Sequence, residues 1–171
     1  GSIIEMGGRI WDIRVDNGHA PGHASFWSRD DNLVLTGDQI IPSISSNIGV
    51  YPTEPDANPL AEWMHSCSRL KDFARADHLA LPGHKLPFIG IPLRLKQLLE
   101  NHHGALNRLR VDLKTPKTAG EVMLAVFKRN IGDGEYGLGL VEALAHCNYL
   151  WHAGEVSRTL DRDGAYRWQL K

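Results

Sequence analysis

The most informative stretch of the chain is Val15-Asp16-Asn17-Gly18-His19-Ala20-Pro21-Gly22-His23, in which a strand-like run ends at glycine and a potential metal ligand follows. The same pattern recurs at Leu33-Val34-Leu35-Thr36-Gly37-Asp38 and at Leu79-Ala80-Leu81-Pro82-Gly83-His84. Glycine suits these turns because it tolerates a positive φ and lets the backbone approach closely. A strand end gives the next side chain a fixed position. The pattern therefore predicts part of a metal site formed by His23, Asp38 and His84.

The composition is that of an ordinary soluble protein. The 171 residues are enough for one good core, or for a core and a small appended module. A formal net charge of −1 gives no global reason to bind nucleic acid or an anionic membrane. Cys67 and Cys147 lie far apart without metal-type spacing, so we expect two unpaired cysteines in core or half-buried positions. No apolar run is long enough to cross a bilayer and no signal peptide is evident, which predicts a cytoplasmic location.

The first half of the chain predicts a mixed α/β fold. Strands are expected at residues 9–15, 24–28 and 33–36, with a further strand before His84. A helix should begin at Asn58-Pro59, with Asn as cap and Pro in the first turn, and extend to about Ala76. Its apolar face comprises Leu60, Trp63, Met64, Cys67, Leu70 and Phe73. The order strand, helix, strand indicates α/β layering.

The second half predicts three helices and a hairpin. The helices are expected at 93–113, from Thr118 to about Asn130, and at about 138–153. Thr118 and Glu121 have the spacing of a capping box. Strands at 156–160 and 165–170 flank an Asp-Gly turn. We therefore predict a winged-helix-like module at 93–171, after a first domain at 3–92, and expect the pair His102-His103 to lie on a solvated helix face.

The residue types at the three glycine turns suit zinc chemistry. Catalytic zinc takes imidazole nitrogen and carboxylate oxygen and leaves one position open for water. In a two-metal site a carboxylate can bridge ions about 3.5–4 Å apart, and a shared hydroxide becomes the nucleophile. Asp38 suits the bridge, with His23 and His84 as ligands on either side. The alternative interpretation is three unrelated turn residues.

The segments at 18–23, 36–38 and 81–84 resemble the Pro-Gly-His loop, the Gly-Asp turn and the last histidine segment of metallo-β-lactamase-fold hydrolases. The resemblance implies that His23 serves the first metal, Asp38 bridges and His84 serves the second, with two zinc ions, or manganese or iron. His19 matches no ligand position and is interpreted as a histidine that packs the loop or supports a metal ligand from behind. The fold implied is the C-terminal half of an αβ/βα sandwich.

The chain departs from this family in one respect, since no His-x-His-x-Asp-His segment is present. We therefore expect the C-terminal part of a longer hydrolase, which binds metal weakly or partially and is inactive alone. The tail resembles the appended module of lactamase-like endoribonucleases and glyoxalase II-related hydrolases. Modules of this kind line a substrate cleft or form a homodimer contact.

The function implied is hydrolysis of an ester, thioester or lactone by a metal-bound hydroxide, with Asp38 orienting the water. Tyr51 and Lys85 are weaker candidates for substrate contact. One alternative is an endoribonuclease or phosphodiesterase of the same fold. Another is a non-enzymatic winged-helix interaction module, although helix 138–153 has no Arg or Lys and nucleic acid is disfavoured. The expected partner is a small acyl substrate, with no membrane.

Overall fold

A computed structural model describes residues 1–171, which form two compact units. The N-terminal unit comprises residues 1–46 and 62–99, and the C-terminal unit comprises residues 47–61 and 100–171. The predicted division at 92/93 lies close to the break at 99/100. Residues 47–61, which the sequence placed in the first domain, group with the C-terminal unit.

The N-terminal unit contains one five-stranded sheet in the order β1-β2-β3-β4-β5. Its strands are β1 (Ile3–Met6), β2 (Arg9–Asp16), β3 (His23–Ser28), β4 (Leu33–Gly37) and β5 (Leu79–Pro82). Neighbours pair antiparallel except β4 and β5, which are parallel. Strand β1 was not predicted; it turns into β2 through Gly7 and Gly8 at φ 60° and 71°. Two consecutive positive φ values are what a tight hairpin turn requires.

The strand directions bring the three glycine turns to one edge of the sheet. β4 and β5 run parallel, so Asp38 and His84 both follow carboxyl ends at the same edge. β3 runs the other way and begins at that edge with His23, which pairs with Asp16 at the end of β2. The topology therefore brings the residues that follow the three glycine turns to the same edge of the sheet.

The first helix, α1 (Pro59–Leu70), begins as predicted and ends six residues early. Its N-cap is Asn58, whose Oδ1 accepts the Ala61 N–H at 3.3 Å. The predicted apolar face is buried through Leu70. The prediction for Phe73 was wrong, because it follows the helix end and remains 43% exposed, with the Arg14 guanidinium 3.7 Å from its ring centroid.

The C-terminal unit holds most of the remaining elements. They are α2 (Ile91–Asp112, which begins in the N-terminal unit), α3 (Met123–Phe127), a 3₁₀ turn (Asp133–Glu135), α4 (Tyr136–His152), β6 (Val156–Leu160) and β7 (Tyr166–Leu170). The two strands form an antiparallel hairpin. This is the predicted element order, and the winged-helix description stays a prediction.

The second predicted helix is much shorter than expected. Glu121 accepts the Thr118 N–H at 2.7 Å, and Thr118 Oγ1 accepts the Glu121 N–H at 3.4 Å, which are the reciprocal bonds of a capping box. Regular helix nevertheless begins only at Met123 and ends at Phe127, followed by Lys128 in the left-handed region. The local capping signal was correct, and the extent of the helix was not.

Two further expectations concern burial. Cys67 and Cys147 are free and buried, as predicted. The prediction of a solvated His102 was wrong, because its side chain is buried against α4, whereas His103 is exposed. None of the helices combines the length and the apolar character needed to span a lipid bilayer.

Candidate metal centre

Two histidine side chains converge on the Asp38 carboxylate. His19 Nε2 lies 3.6 Å from Asp38 Oδ2, and His84 Nε2 lies 3.5 Å from the same oxygen. Both separations exceed a good hydrogen bond. They match the spacing of two ligands that share one ion, since bonds of about 2.0–2.2 Å place neighbouring ligand atoms roughly 3–3.6 Å apart. Each imidazole thus lies at metal-ligand spacing from the Asp38 carboxylate, although the three ligand atoms do not all lie within 4.8 Å of one another.

His23 is placed differently from the sequence-based assignment. Its Nε2 accepts the backbone N–H of Asp38 at 3.1 Å, and its Nδ1 is buried without a hydrogen-bond partner. The ring therefore holds the backbone of the Asp38 turn, and the nitrogen that would face the carboxylate is already used. The structure brings His19, not His23, to the Asp38 side chain.

Two glycines make this close approach possible. A Cβ on Gly37, which has φ 51°, would lie 2.6 Å from His23 Nε2. A Cβ on Gly83 would lie 2.4 Å from Asp38 Oδ1. The Gly83 N–H also donates to the Gly37 carbonyl at 2.9 Å, which ties the ends of β4 and β5 together. Any larger residue at either position would push the site apart.

Burial controls the charge of His23. Its pKa is lowered mainly by burial and further by neighbouring His19, while the carboxylates of Asp38 and Asp16 oppose the shift. A lowered pKa keeps the ring neutral near pH 7, as its role as hydrogen-bond acceptor requires. Asp16 is itself buried, and burial raises its pKa against the opposing effect of Arg69.

The helix α1 supports the loop that carries His19. Arg69 Nη2 donates to Asp16 Oδ1 at 2.7 Å and to the Val15 carbonyl at 3.0 Å. Ser66 Oγ accepts the Asn17 N–H at 3.1 Å. Asn17 Oδ1 in turn accepts the Gly22 N–H at 2.8 Å, which closes the loop between β2 and β3. These bonds fix the loop before any ligand is present.

The donor set fits a divalent metal ion. Asp38 Oδ1 is buried and accepts no hydrogen bond, so a carboxylate oxygen in the site has no protein partner. A carboxylate oxygen that is removed from water without a partner is costly, and a cation would satisfy it. The Ser46 hydroxyl donates to the Asp38 carbonyl, which leaves the side chain available. Imidazole and carboxylate are the ligands that zinc takes at catalytic sites.

Comparison with known proteins agrees with this chemistry. Residues 106–171 match the family described as metallo-beta-lactamase-like, C-terminal domain. A beta-lactamase domain protein from Burkholderia ambifaria is 35% identical, with a TM-score of 0.94, over 100% of this chain and 51% of its own. The chain belongs to the metallo-β-lactamase superfamily. The predicted mixed α/β class is confirmed.

Other solved structures are similar to this chain over different shares of their length. A metallo-beta-lactamase family protein from Thermus thermophilus is 30% identical, with a TM-score of 0.85, over 100% of this chain and 52% of its own. The sec-alkylsulfatase Pisa1 from Pseudomonas sp. shares only the fold, with 14% identity and a TM-score of 0.54 over 90% of this chain and 25% of its own. None of the curated proteins matches. The chain spans about half the length of the two superfamily members from Burkholderia and Thermus.

The loop at residues 18–23 contains two Gly-His pairs, and the second histidine, His23, was predicted as the metal ligand. A usable signal was present, because His23 directly precedes the apolar run of β3 and is its first residue, paired with Asp16. A residue inside a paired strand is held by the ladder. His19 lies in the loop between β2 and β3, outside the paired residues, and its Nε2 faces Asp38.

The two candidate substrate residues lie in different units. Lys85 directly follows His84, has φ 72° and is exposed. Tyr51 belongs to the C-terminal unit and is 52% exposed. Their contact with substrate stays a prediction.

Proposed function

We propose that this chain provides His19 and His84 as metal ligands on either side of a bridging Asp38, in a hydrolase that cleaves an ester, thioester or lactone. The observation that carries the proposal is the approach of two imidazole nitrogens, at 3.6 and 3.5 Å, to one carboxylate oxygen of Asp38. This ligand set replaces His23 of the sequence-based assignment with His19.

In this proposal the residues of the chain hold and orient the metal ligands. When bound, the ion supplies Lewis acidity and lowers the pKa of a water molecule. His23 holds the Asp38 backbone, so the carboxylate keeps its direction when ligands exchange. Asp38 Oδ1 is left to accept a hydrogen bond from water or to contact a second ion, as the bridging role predicts. His84 is 64% exposed, which leaves one side of the site open to substrate.

The segment after His84 favours an apolar acyl substrate. Leu86 and Ile89 are 80% and 68% exposed, although large aliphatic side chains are usually covered. The backbone of Phe88 bonds to Ala80 of β5 in both directions, at 2.8 and 3.1 Å, which anchors the far end of this loop. Exposed apolar residues on an anchored loop beside a polar site suit a substrate with an apolar portion. Lys85 adds one positive charge for a carboxylate or a developing oxyanion.

Zinc binding and substrate preference test the proposal together. The chain is stripped with chelator, titrated with zinc and assayed with a p-nitrophenyl acyl ester, a thioester, a lactone and bis(p-nitrophenyl) phosphate. We expect binding that Asp38→Asn and His19→Ala weaken, and that the matched control His65→Ala, an exposed residue of α1, leaves unchanged.

The substrate panel separates the alternatives. Acyl hydrolysis above the phosphodiester rate supports the proposal, even at the low turnover expected of this chain alone. A preference for the phosphodiester would favour the phosphodiesterase alternative. Zinc binding that is unaffected by Asp38→Asn and His19→Ala would refute the ligand assignment.

A further inference from the structure

The C-terminal unit contains a second cluster of metal-ligand side chains. His102 of α2 and Glu142 and His146 of α4 each bring one ligand atom within 4.8 Å of the others, and all three residues are buried. Glu142 and His146 are four residues apart, so they lie on the same face of α4. We call these three residues the α2–α4 cluster.

The two imidazoles of the cluster are oriented for a shared ligand. His102 Nδ1 and His146 Nε2 are 3.1 Å apart, and the rings stack with an interplanar angle of 28°. His146 Nδ1 donates to the Glu142 carbonyl at 2.8 Å, so its Nε2 accepts a hydrogen bond from His102 Nδ1. A metal ion between the two nitrogens would take the place of the proton that they share. Two nitrogens at this spacing would subtend roughly 100° at a zinc ion about 2.05 Å from each. That angle lies close to the tetrahedral value.

No lysine or arginine pairs with the Glu142 carboxyl group of the cluster. The Glu142 carboxylate accepts the Asn47 amide at 3.0 Å and a backbone hydrogen bond from Ile48, but forms no ion pair with lysine or arginine. Burial raises the pKa of Glu142 to about 7 and lowers the pKa of His146 to about 4. A neutral imidazole has a nitrogen lone pair for a metal ion, and a bound divalent ion would stabilise the buried carboxylate.

We propose that His102, Glu142 and His146 bind a divalent transition-metal ion of the zinc type, at a site in a different compact unit from Asp38. The bound ion would join α2 to α4 and, through the Glu142 carboxylate, to residues 47–48. Because ligand atoms on one ion lie at most about 4 Å apart, a side-chain adjustment of under about 1 Å completes the set. The role is structural, since the cluster is buried. It does not depend on the proposed function.

The test removes the first site and counts what remains. The full chain carrying Asp38→Asn and His84→Ala is stripped with chelator, dialysed against zinc alone and analysed by mass spectrometry for metal content. We expect about one equivalent of zinc in this background. Adding Glu142→Gln, which keeps the size of the side chain, or His146→Ala should remove that equivalent. His103→Ala, the exposed neighbour of His102, is the matched control and should retain it.

A second measurement protects the test against misfolding. Circular dichroism is recorded for every variant, and zinc is added to the stripped background variant during thermal unfolding. We expect zinc to raise its melting temperature, and expect no rise with Glu142→Gln. A background variant that binds no zinc, or a Glu142→Gln variant that retains it, would overturn the proposal. Equal metal content in the wild type and the background variant would instead count against the Asp38 site, so the two failures are distinguishable.

Discussion

Replacing Gly83 by alanine should damage the metal site with little effect on folding. The new Cβ would lie 2.4 Å from Asp38 Oδ1 and 3.2 Å from Asp38 Cγ. Ordinary contact begins near 3.4 Å, so the carboxylate must move by about 1 Å. Gly83 has no positive φ, and the carboxylate is the end of a side chain that can rotate. We therefore expect a loss of about 1 kcal/mol in the free energy of unfolding, the low end for overpacking.

The same displacement should be far more costly for metal binding. A carboxylate moved by about 1 Å no longer faces His19 and His84 together, and disturbed ligand orientation typically costs about 10–100-fold in affinity. A competition titration with a fluorescent zinc chelator measures this change, and urea denaturation measures stability. Gly132→Ala is the control, because its φ is −77° and nothing lies within 4 Å of the added Cβ. Unchanged zinc affinity in Gly83→Ala would refute the role of the Asp38 carboxylate.

Three further substitutions test the surrounding structure. Arg69→Ala leaves the buried Asp16 carboxylate without its ion pair, and urea denaturation should show that the free energy of unfolding falls by about 2 kcal/mol. The loss is smaller than for an ion pair with both partners buried, because Arg69 is half exposed. Burial lowers the pKa of His78, so folding favours the neutral ring. The contribution of His78 to the free energy of unfolding is therefore fully present above its ordinary pKa of 6.5 and is lost as the pH falls toward the lowered value. His78→Gln should make that decline shallower in thermal unfolding between about pH 5 and 7, while His23 and His146, whose pKa values are also lowered, continue to contribute to it. Arg158→Ala removes a guanidinium 3.8 Å from the Trp151 ring centroid and should lower the free energy of unfolding by about 2 kcal/mol in the same urea assay. Arg158→Lys should have a stability between those of the wild type and Arg158→Ala.

Each substitution has a surface counterpart. Arg75→Ala breaks an exposed ion pair and should lower the free energy of unfolding by under about 1 kcal/mol. A loss as large as that of Arg69→Ala would contradict the importance of Asp16 burial. His65→Gln should leave the pH dependence unchanged, because His65 is exposed. Arg162→Ala lies in the exposed hairpin turn and should leave stability near that of the wild type. If it matched Arg158→Ala, the ring contact would not explain the loss.

Strand and helix positions were largely predictable because the signals are local. Alternating apolar residues predict β2, and Asn58 before Pro59 predicts the start of α1. The extent of α3 was not predictable, because five residues of helix depend on tertiary contacts such as the two bonds from Arg108 to its final carbonyls, at 2.7 and 2.8 Å. β1 was missed because its four residues are all exposed and show no alternation in burial.

The site was predictable at the level of segments and less so at the level of atoms. The glycine turns indicated the edge of the sheet at which Asp38 and His84 meet, since parallel strands bring their ends together. The choice between His19 and His23 depends on which ring accepts the Asp38 N–H, and a bond between residues 15 positions apart leaves no local signal. The α2–α4 cluster was missed for a similar reason, because His102 and His146 are 44 residues apart and meet only when α2 and α4 pack.

The most direct test of the metal centre is nitrogen NMR of the histidine rings. Long-range ¹H–¹⁵N spectra of the chain are recorded without metal and with zinc, and each ring is assigned with single histidine variants. We predict that zinc moves the Nε2 resonances of His19 and His84 to metal-bound positions, while His23 Nε2 keeps the shift of a hydrogen-bond acceptor. Movement of His23 with His19 unchanged, or no movement at His19 and His84, would contradict the account.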